Sequence, residues 1–310
     1  MKVVIIGSGN LATHLSLALK GAGVEVAQVY DRTLAHALTL ADRLDCEAIC
    51  TVSDMVVDAD AYIIAVKDDA IADVAKQIAS AAQNGVVLHT AGSVPMAVLN
   101  GVARHYGVFY PMQTFSKTRE VDFKSVPCFI EASDGEAMAV IKAMAQKVCD
   151  TVQEADSHKR ERLHLAAVFA NNFTNHCYRL AEQILEAEGL DFKLFLPLIA
   201  ETANKVQTMP PKDAQTGPMV RYDVNVMNKQ MNMLTDERMR EIYRLMAESI
   251  HADYTPTPTK IVCHKPHTDS TRFNKPIYPY NPCNLCSKKS ATNHHKFPQI
   301  IILLNLVESV

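Results

Sequence analysis

The chain lacks three features that mark large classes of protein. Its 31 lysines and arginines stand against 34 acids, for a net charge of −3, so no basic excess points to a nucleic-acid partner. No apolar run reaches the roughly 18 residues of a membrane-spanning helix, and the nearest to it, 300–307, is far shorter. No charged and apolar leader precedes the first predicted strand, so we expect no signal peptide. We therefore expect a cytoplasmic protein with no membrane partner, whose eight cysteines are reduced.

A dinucleotide-binding fingerprint opens the chain. Residues 3–6 form a β-branched run with the length of one buried parallel strand. A turn of small residues follows, with the pattern G-x-G-x-x-G/A: Gly7, Ser8, Gly9, Asn10, Leu11 and Ala12. In this pattern the first glycine makes the tight turn, the second leaves room for a pyrophosphate, and the last small residue lets the helix pack on the strand. The turn is therefore predicted to bind a nucleotide; the alternative is a glycine turn kept only for packing.

The second predicted strand, 24–30, ends in Asp31, Arg32 and Thr33, about 20 residues beyond the glycine turn. An acid at this point accepts hydrogen bonds from ribose hydroxyls and favours NAD, whereas an arginine beside it can hold the 2′-phosphate of NADP. Since both are present, the predicted cofactor is NADP or NAD. NADP is preferred, since Arg32 with Thr33 could clamp the 2′-phosphate while Asp31 turns outward. The alternative for Asp31 is a solvated strand end.

Short apolar runs separated by helical patterns predict a parallel sheet. The chain has 310 residues, 48% of them hydrophobic and 21% charged, which is long enough for two globular domains. Ser53, Asp68 and Asp69 are expected to cap helices. Residues 1–152 are predicted to be an α/β Rossmann domain whose last strand closes the sheet. The further predicted strands are 48–51, 61–66, 86–88, 108–110 and 129–131, and the helices are 35–44, 70–82 and 137–149.

Polar residues follow several of these strands. Ligands of parallel sheets bind outside the carboxyl ends of the strands, so Val66, Lys67 and Thr90 are expected to border the cofactor. His89 and Gln113 are candidates for contacts with a substrate beside the nicotinamide, and His89 could donate a proton. The alternative is that both side chains satisfy backbone groups of their own loops.

From about residue 153 the pattern is helical, over 158–188, 192–206 and 219–252. Within the first of these segments, amides and imidazoles interrupt an apolar sequence. At α-helical spacing His164, Asn171 and Asn175 share one face, and Asn172 and His176 lie on an adjacent face.

Buried amides and imidazoles without partners carry a desolvation cost of about 1 to 3 kcal/mol each, so we expect these faces to line a cleft. Asn171 and Asn172 are predicted to orient a substrate, and His176, like His89, could donate a proton. The alternative is a satisfied hydrogen-bond network between domains or subunits.

Five motifs carry a resemblance that covers residues 1 to 255: GSGNLA, HTAGSVP from His89, GVFYPMQTFSK from Gly107, LHLAAVFANNFTNH from Leu163 and QTGPMVRYD from Gln215. They resemble a bacterial family of Rossmann-like proteins that carry a C-terminal helical domain of unknown function and are described as candidate NADP-dependent oxidoreductases. The resemblance implies a Rossmann domain similar to those of pyrroline-5-carboxylate reductase and the deazaflavin-dependent NADP oxidoreductases. It also implies that residues 153–255 form a substrate and dimerisation domain like that of the 6-phosphogluconate dehydrogenase superfamily, so a homodimer is expected.

The chain departs from this resemblance at two points. Proteins of the family commonly end the second strand in Ser-Arg or Asn-Arg, where this chain has Asp31. Between Arg162 and Gln183 there is no lysine, so the mechanism of the β-hydroxyacid dehydrogenases, which use one on this helix, does not transfer.

Residues 256–310 are predicted to be a poorly ordered tail outside the resemblance, because they are rich in Pro, Asn, Lys and His and show no sustained period. Cys283, Cys286, His294 and His295 have the composition of a zinc site, but no apolar core accompanies them, so no metal is predicted.

Two functions are consistent with these features. The first is an NAD(P)-dependent oxidoreductase that transfers a hydride between the nicotinamide and a small polar carbonyl or imine held between the domains. The alternative is a non-catalytic dimer that senses the nucleotide or its redox state.

Overall fold

The structure is a computed structural model that describes residues 1–255, and Met1–His251 form one compact unit. Its first half is a sheet of eight strands: β1 (Lys2–Ile6), β2 (Glu25–Tyr30), β3 (Glu47–Ile49), β4 (Ala61–Ile64), β5 (Val86–His89), β6 (His105–Pro111), β7 (Cys128–Ala132) and β8 (Val152–Glu154). The spatial order is β3-β2-β1-β4-β5-β6-β7-β8. Strands β2 and β3 therefore lie on one side of β1, and the strands from β4 onward lie on the other. The carboxyl ends of the strands where the order changes side form the usual ligand crevice of this architecture.

Ten α-helices accompany the sheet in the described residues. They are α1 (Asn10–Gly21), α2 (Leu34–Leu44), α3 (Ile71–Ile78), α4 (Gly135–Val148), α5 (Ser157–Ala167), α6 (Thr174–Ala187), α7 (Leu196–Thr208), α8 (Pro211–Ala214), α9 (Val224–Met233) and α10 (Glu237–Tyr254). The predicted α/β region followed by a helical region is confirmed. The division into domains at residues 152 and 255 stays a prediction.

The sheet is parallel except at one pair. β6 and β7 are antiparallel, so this one pair departs from the predicted parallel arrangement. Parallel strands need a long crossover, usually a helix, and the segment between β6 and β7 contains only the short turn Phe123–Ser125. β7 also does not close the sheet, because β8 pairs with it in parallel.

Alternate residues of the central strand pack on opposite faces. Val3 and Ile5 of β1 belong to the cluster under α1, α2 and α4, whereas Val4 and Ile6 belong to the cluster under α3. All four side chains are fully buried. This burial on both faces explains why the strand is an unbroken apolar run rather than an alternating one.

The predicted caps do not form. Ser53 lies inside the turn Val52–Asp54, and no side chain caps that turn. Asp68 lies in a turn before α3, where its carboxylate accepts the hydroxyl of Ser93, and no side chain caps either this turn or α3. Both residue types are favoured at helix starts, but here nearby hydroxyl and carboxylate groups supply other partners.

The predicted helix 219–252 is two helices in the structure. The first, α9, ends at Met233, and Asp236 caps the start of the second, α10. The carboxylate of Asp236 accepts the backbone N–H of Met239 at 2.8 Å, the usual capping arrangement. Among residues 1–255, no helix is both long and apolar enough to cross a bilayer.

Candidate functional site

The glycine turn has the geometry that its sequence predicts. Gly7 has φ +108°, and a Cβ at this position would lie 2.5 Å from the carbonyl oxygen of Ala65. Its backbone N–H donates to the carbonyl of Tyr30 at 2.8 Å, which joins the ends of β1 and β2. Only glycine fits both the backbone angle and the contact.

The start of α1 is open. Gly9 precedes the helix, and a Cβ placed there would meet no atom within 4 Å. No side chain of the described residues caps the first turn of α1, so its backbone N–H groups are available to a ligand. Ala12 is fully buried beside the strand, as predicted. This arrangement fits the pyrophosphate of a dinucleotide, which binds at helix starts of this kind.

Asp31 turns towards the glycine turn. Its carboxylate accepts the hydroxyl of Ser8 at 2.6 Å and the backbone N–H of Thr33 at 3.0 Å. The side chain is 20% exposed, whereas Arg32 and Thr33 are exposed. The ideas that Asp31 turns outward or is a solvated strand end are therefore wrong.

The residues predicted to border the cofactor lie at neighbouring strand ends. Val66 is beside the turn, since its Cγ1 would be 3.1 Å from a Cβ on Gly7. Thr90 is buried, and its backbone N–H donates to the carbonyl of Ile64 at 3.2 Å. Lys67 is exposed just after β4.

His89 and Gln113 instead serve their own loops. Nδ1 of His89 accepts the backbone N–H of Ala91 at 3.2 Å, and the amide oxygen of Gln113 accepts that of Thr114 at 2.8 Å. Burial, reinforced by the charge of Arg160, lowers the pKa of His89 to about 3. The imidazole is therefore neutral and fully buried near pH 7, and its Nε2 has no hydrogen-bond partner among the described residues. Its role as a proton donor to substrate stays a prediction.

A π turn changes the predicted helix faces. Val168–Phe173 form this turn between α5 and α6, and a π turn holds one residue more than an α turn. The expected common face of His164, Asn171 and Asn175 is therefore wrong. With the added residue counted, His164 shares a face with Asn172 and His176 instead.

Asn171, Asn172 and His176 are exposed, and their side chains make no hydrogen bond within residues 1–255. Their predicted contacts with substrate stay predictions. Single π turns are frequent at functional sites, and this one places two of the three on the face of His164.

The pattern analysis missed a Tyr–His pair. The hydroxyl of Tyr110, at the end of β6, lies 3.2 Å from Nδ1 of His164 on α5, with the rings edge to face. A Cβ on Gly92 would lie 2.7 Å from Cζ of Tyr110 and 2.9 Å from Nδ1 of His164, so the loop after β5 packs against the pair. Burial raises the pKa of Tyr110. Because 54 residues separate the two, no local spacing could reveal the pair; the only signal was a tyrosine at the end of a buried strand.

Arg160 was also missed. Its guanidinium is fully buried, pairs with the carboxylate of Glu131 and donates to the carbonyls of Ala91 and Val94. The hydroxyl of Ser157 donates to the same carboxylate at 2.9 Å. Arg160 and His164 are four residues apart on α5, which was the available signal that both face the sheet.

Among residues 1–255, no group of histidine, cysteine or acidic side chains could hold a metal ion. The four residues with zinc-like composition, Cys283, Cys286, His294 and His295, lie outside the described residues.

Comparison with known proteins agrees with this architecture. Residues 2–92 match the family model "NADP oxidoreductase coenzyme F420-dependent", and residues 126–250 match a domain of unknown function, DUF2520. The crystal structure of a candidate NADP oxidoreductase from Bacteroides fragilis is 48% identical, covers 81% of this chain and 98% of its own, and has a TM-score of 0.76. No curated protein sequence matches the chain.

More distant structures share the fold. A protein from Thermotoga maritima is 21% identical, with a TM-score of 0.66 over 80% of this chain and 99% of its own. An imine reductase from Myxococcus stipitatus in complex with NADP⁺ is 18% identical, with a TM-score of 0.58 over 81% of this chain and 92% of its own.

The sheet, the glycine turn and the helical half define a Rossmann-fold oxidoreductase. Within that class, the chain belongs to the family of the Bacteroides fragilis protein. In this chain the match to an NADP oxidoreductase domain precedes the match to DUF2520. The predicted family is confirmed. At the level of the family, the predictions of an oxidoreductase and of a nicotinamide cofactor are confirmed as well.

Proposed function

We propose that the protein transfers a hydride between a nicotinamide dinucleotide and a small polar carbonyl or imine substrate. The observation that carries this proposal is that the open glycine turn and the Tyr110–His164 pair lie at one edge of the sheet. β1, β4, β5 and β6 run parallel, so their carboxyl ends share that edge. In this architecture ligands bind outside those ends.

The chain's own groups fit a dinucleotide at this edge. The N–H groups at the start of α1 would hold the pyrophosphate, Asp31 would accept the adenosine ribose, and Val66, Lys67 and Thr90 would border the rest. The bound dinucleotide supplies the hydride. The protein then needs to orient the substrate and provide one proton for its oxygen or nitrogen.

Tyr110 is the group that we expect to hold this proton. Burial raises its pKa, so the phenol stays protonated near neutral pH. Nδ1 of His164, 3.2 Å from the hydroxyl, fixes the direction of the phenol and can donate to the phenolate after the proton leaves. Asn172 and His176 continue the same helix face, where they would orient the substrate by hydrogen bonds.

We also propose that the protein is a homodimer through its helical half. Among residues 161–255, only Leu185, Met227 and Ala247 are buried apolar side chains. Large apolar side chains of this half are exposed instead, Leu194 by 65% and Met233 by 74%. A helical region with so small a core and so much apolar surface requires a partner, and a second copy of the chain supplies matching surface.

The five described cysteines are free thiols, which supports the proposal of a cytoplasmic location, where thiols are kept reduced.

The test is calorimetric titration of the full chain with NADPH, NADP⁺, NADH and NAD⁺, followed by a screen of carbonyl and imine compounds. Turnover is read as loss of the reduced nicotinamide absorbance. Binding with turnover of at least one compound is expected. Binding without any turnover would favour the nucleotide-sensing alternative, and no binding would overturn the dinucleotide site itself.

A further inference from the structure

The acid at the end of β2 is fixed from two sides. Ser8 donates to Oδ2 of Asp31 at 2.6 Å, and the backbone N–H of Thr33 donates to Oδ1 at 3.0 Å. Ser8 is itself buried within the glycine turn. The carboxylate therefore has one defined position beside the turn, although aspartate at a strand end is usually exposed to solvent.

Two acceptor positions of this carboxylate remain for a ligand. An ionised carboxylate has about four lone-pair sites, and Ser8 and Thr33 use two of them. The remaining two match the 2′- and 3′-hydroxyls of a ribose, each of which donates one hydrogen bond. Neither Ser8 nor the Thr33 N–H is left over as a donor, since both already serve Asp31.

The carboxylate of Asp31 opposes the binding of a 2′-phosphate at this place. It would bring a group of roughly −1.5 to −2 charge against a carboxylate that can only accept hydrogen bonds. Nδ1 of His36 is 3.8 Å from Oδ1 of Asp31, so that imidazole already faces the acid. The guanidinium of Arg32 is exposed and makes no hydrogen bond or ion pair among the described residues, so no contact of the protein holds it beside the place of a 2′-phosphate.

We infer that this chain binds NAD(H) in preference to NADP(H), and that Asp31, held by Ser8 and Thr33, determines this preference. The inference rests on the dinucleotide site of the proposed function. It sets this chain apart from the NADP dependence in the name of its family, because the ribose end of the site accepts a diol and opposes a phosphate.

The test compares the affinities of NADH and NADPH for the full chain by titration calorimetry. The wild-type protein should bind NADH about tenfold or more tightly than NADPH, because like charges in contact oppose binding. Asp31→Asn removes the charge and keeps an oxygen for the Thr33 N–H, so it should reduce this ratio by about tenfold or more. Asp42→Asn makes the same charge change at an exposed position of α2 and should leave the ratio unchanged.

Three results would overturn the inference. Equal or tighter binding of NADPH by the wild type would overturn it while leaving the dinucleotide site in place. A ratio that changes equally in the Asp31 and Asp42 variants would remove Asp31 as its determinant. No binding of either cofactor would defeat the proposed function together with this inference.

Discussion

The hydroxyl of Tyr110 and Nδ1 of His164 lie 3.2 Å apart and join β6 to α5, the first helix of the helical half. The loop after β5 closes over both rings through Gly92, which has no room for a side chain. The pair is therefore held by three separate parts of the chain at the sheet edge where parallel sheets bind ligands.

Tyr110→Phe should lower the turnover number by roughly a hundredfold or more, because it removes the proposed proton donor and keeps the ring. The affinity for the dinucleotide should not change. Steady-state kinetics and calorimetry measure the two effects. Tyr243→Phe, which removes a hydroxyl bonded to Gln230 on the exposed helices, is the matched control and should be silent. Normal turnover in the Tyr110 variant would show that Tyr110 is not the proton donor.

Gly9→Ala should weaken dinucleotide binding by about tenfold or more and leave the fold intact. The backbone at Gly9 has φ −70°, which alanine adopts freely, and the added Cβ meets no protein atom within 4 Å. The methyl group would instead occupy the space in front of α1. The free energy of unfolding should stay equal or rise by up to about 1 kcal/mol. Gly21→Ala, at the other end of α1, should not affect binding; if Gly9→Ala behaves in the same way, no phosphate lies at the turn.

Arg160→Met should lower the free energy of unfolding by about 3–5 kcal/mol, because it leaves the carboxylate of Glu131 without its buried cation. Urea denaturation measures this change. Arg162→Met, at an exposed position of the same helix, should change it by less than about 0.5 kcal/mol. Similar losses in both variants would mean that the buried ion pair is not the cause.

The stability of the protein should fall with acidity in part through His89. Its pKa is lowered from 6.5 to about 3 in the folded chain, so between these values the unfolded chain binds a proton that the folded chain does not. This group contributes stability above pH 6.5 and loses it as the pH falls, by roughly 1.4 kcal/mol per pH unit.

Urea denaturation of the wild type and of His89→Asn at several pH values isolates this contribution. The variant should lose less stability than the wild type between about pH 6.5 and about pH 4. His176→Asn, at an exposed position, should follow the wild type. Parallel curves for the wild type and the His89 variant would mean that His89 is protonated while buried.

Leu194→Asp should dissociate the proposed dimer, since it places a charge on the apolar surface of the helical half. Light scattering during gel filtration measures the mass. Leu38→Asp, at a comparably exposed leucine of α2, should leave the mass unchanged. A wild-type protein that is monomeric at every concentration would contradict the dimer.

Local patterns predicted the features that depend on local chemistry. The strand 3–6, the glycine turn and the position of Asp31 follow from short apolar runs and the backbone needs of one turn. The direction of Asp31 did not follow, because it depends on Ser8, 23 residues away.

Features that depend on distant contacts were missed. Arg160 is charged and was assigned no role, although its burial is enforced by Glu131 and by two carbonyls of the loop after β5. The antiparallel β7 depends on the absence of a crossover helix, which strand patterns do not report. No sequence pattern indicated the π turn at 168–173. The common face of His164, Asn171 and Asn175 was predicted from a constant 3.6-residue period, which the π turn interrupts.

The bonds of Arg160 also fix the position of a neighbouring side chain. The guanidinium joins α5 both to β7 and to the loop after β5, so the helix that carries His164 is attached to two parts of the sheet region. The same loop carries Gly92, which packs against Tyr110 and His164. The buried ion pair therefore sets the distance between Tyr110 and His164 as well as stabilising the fold.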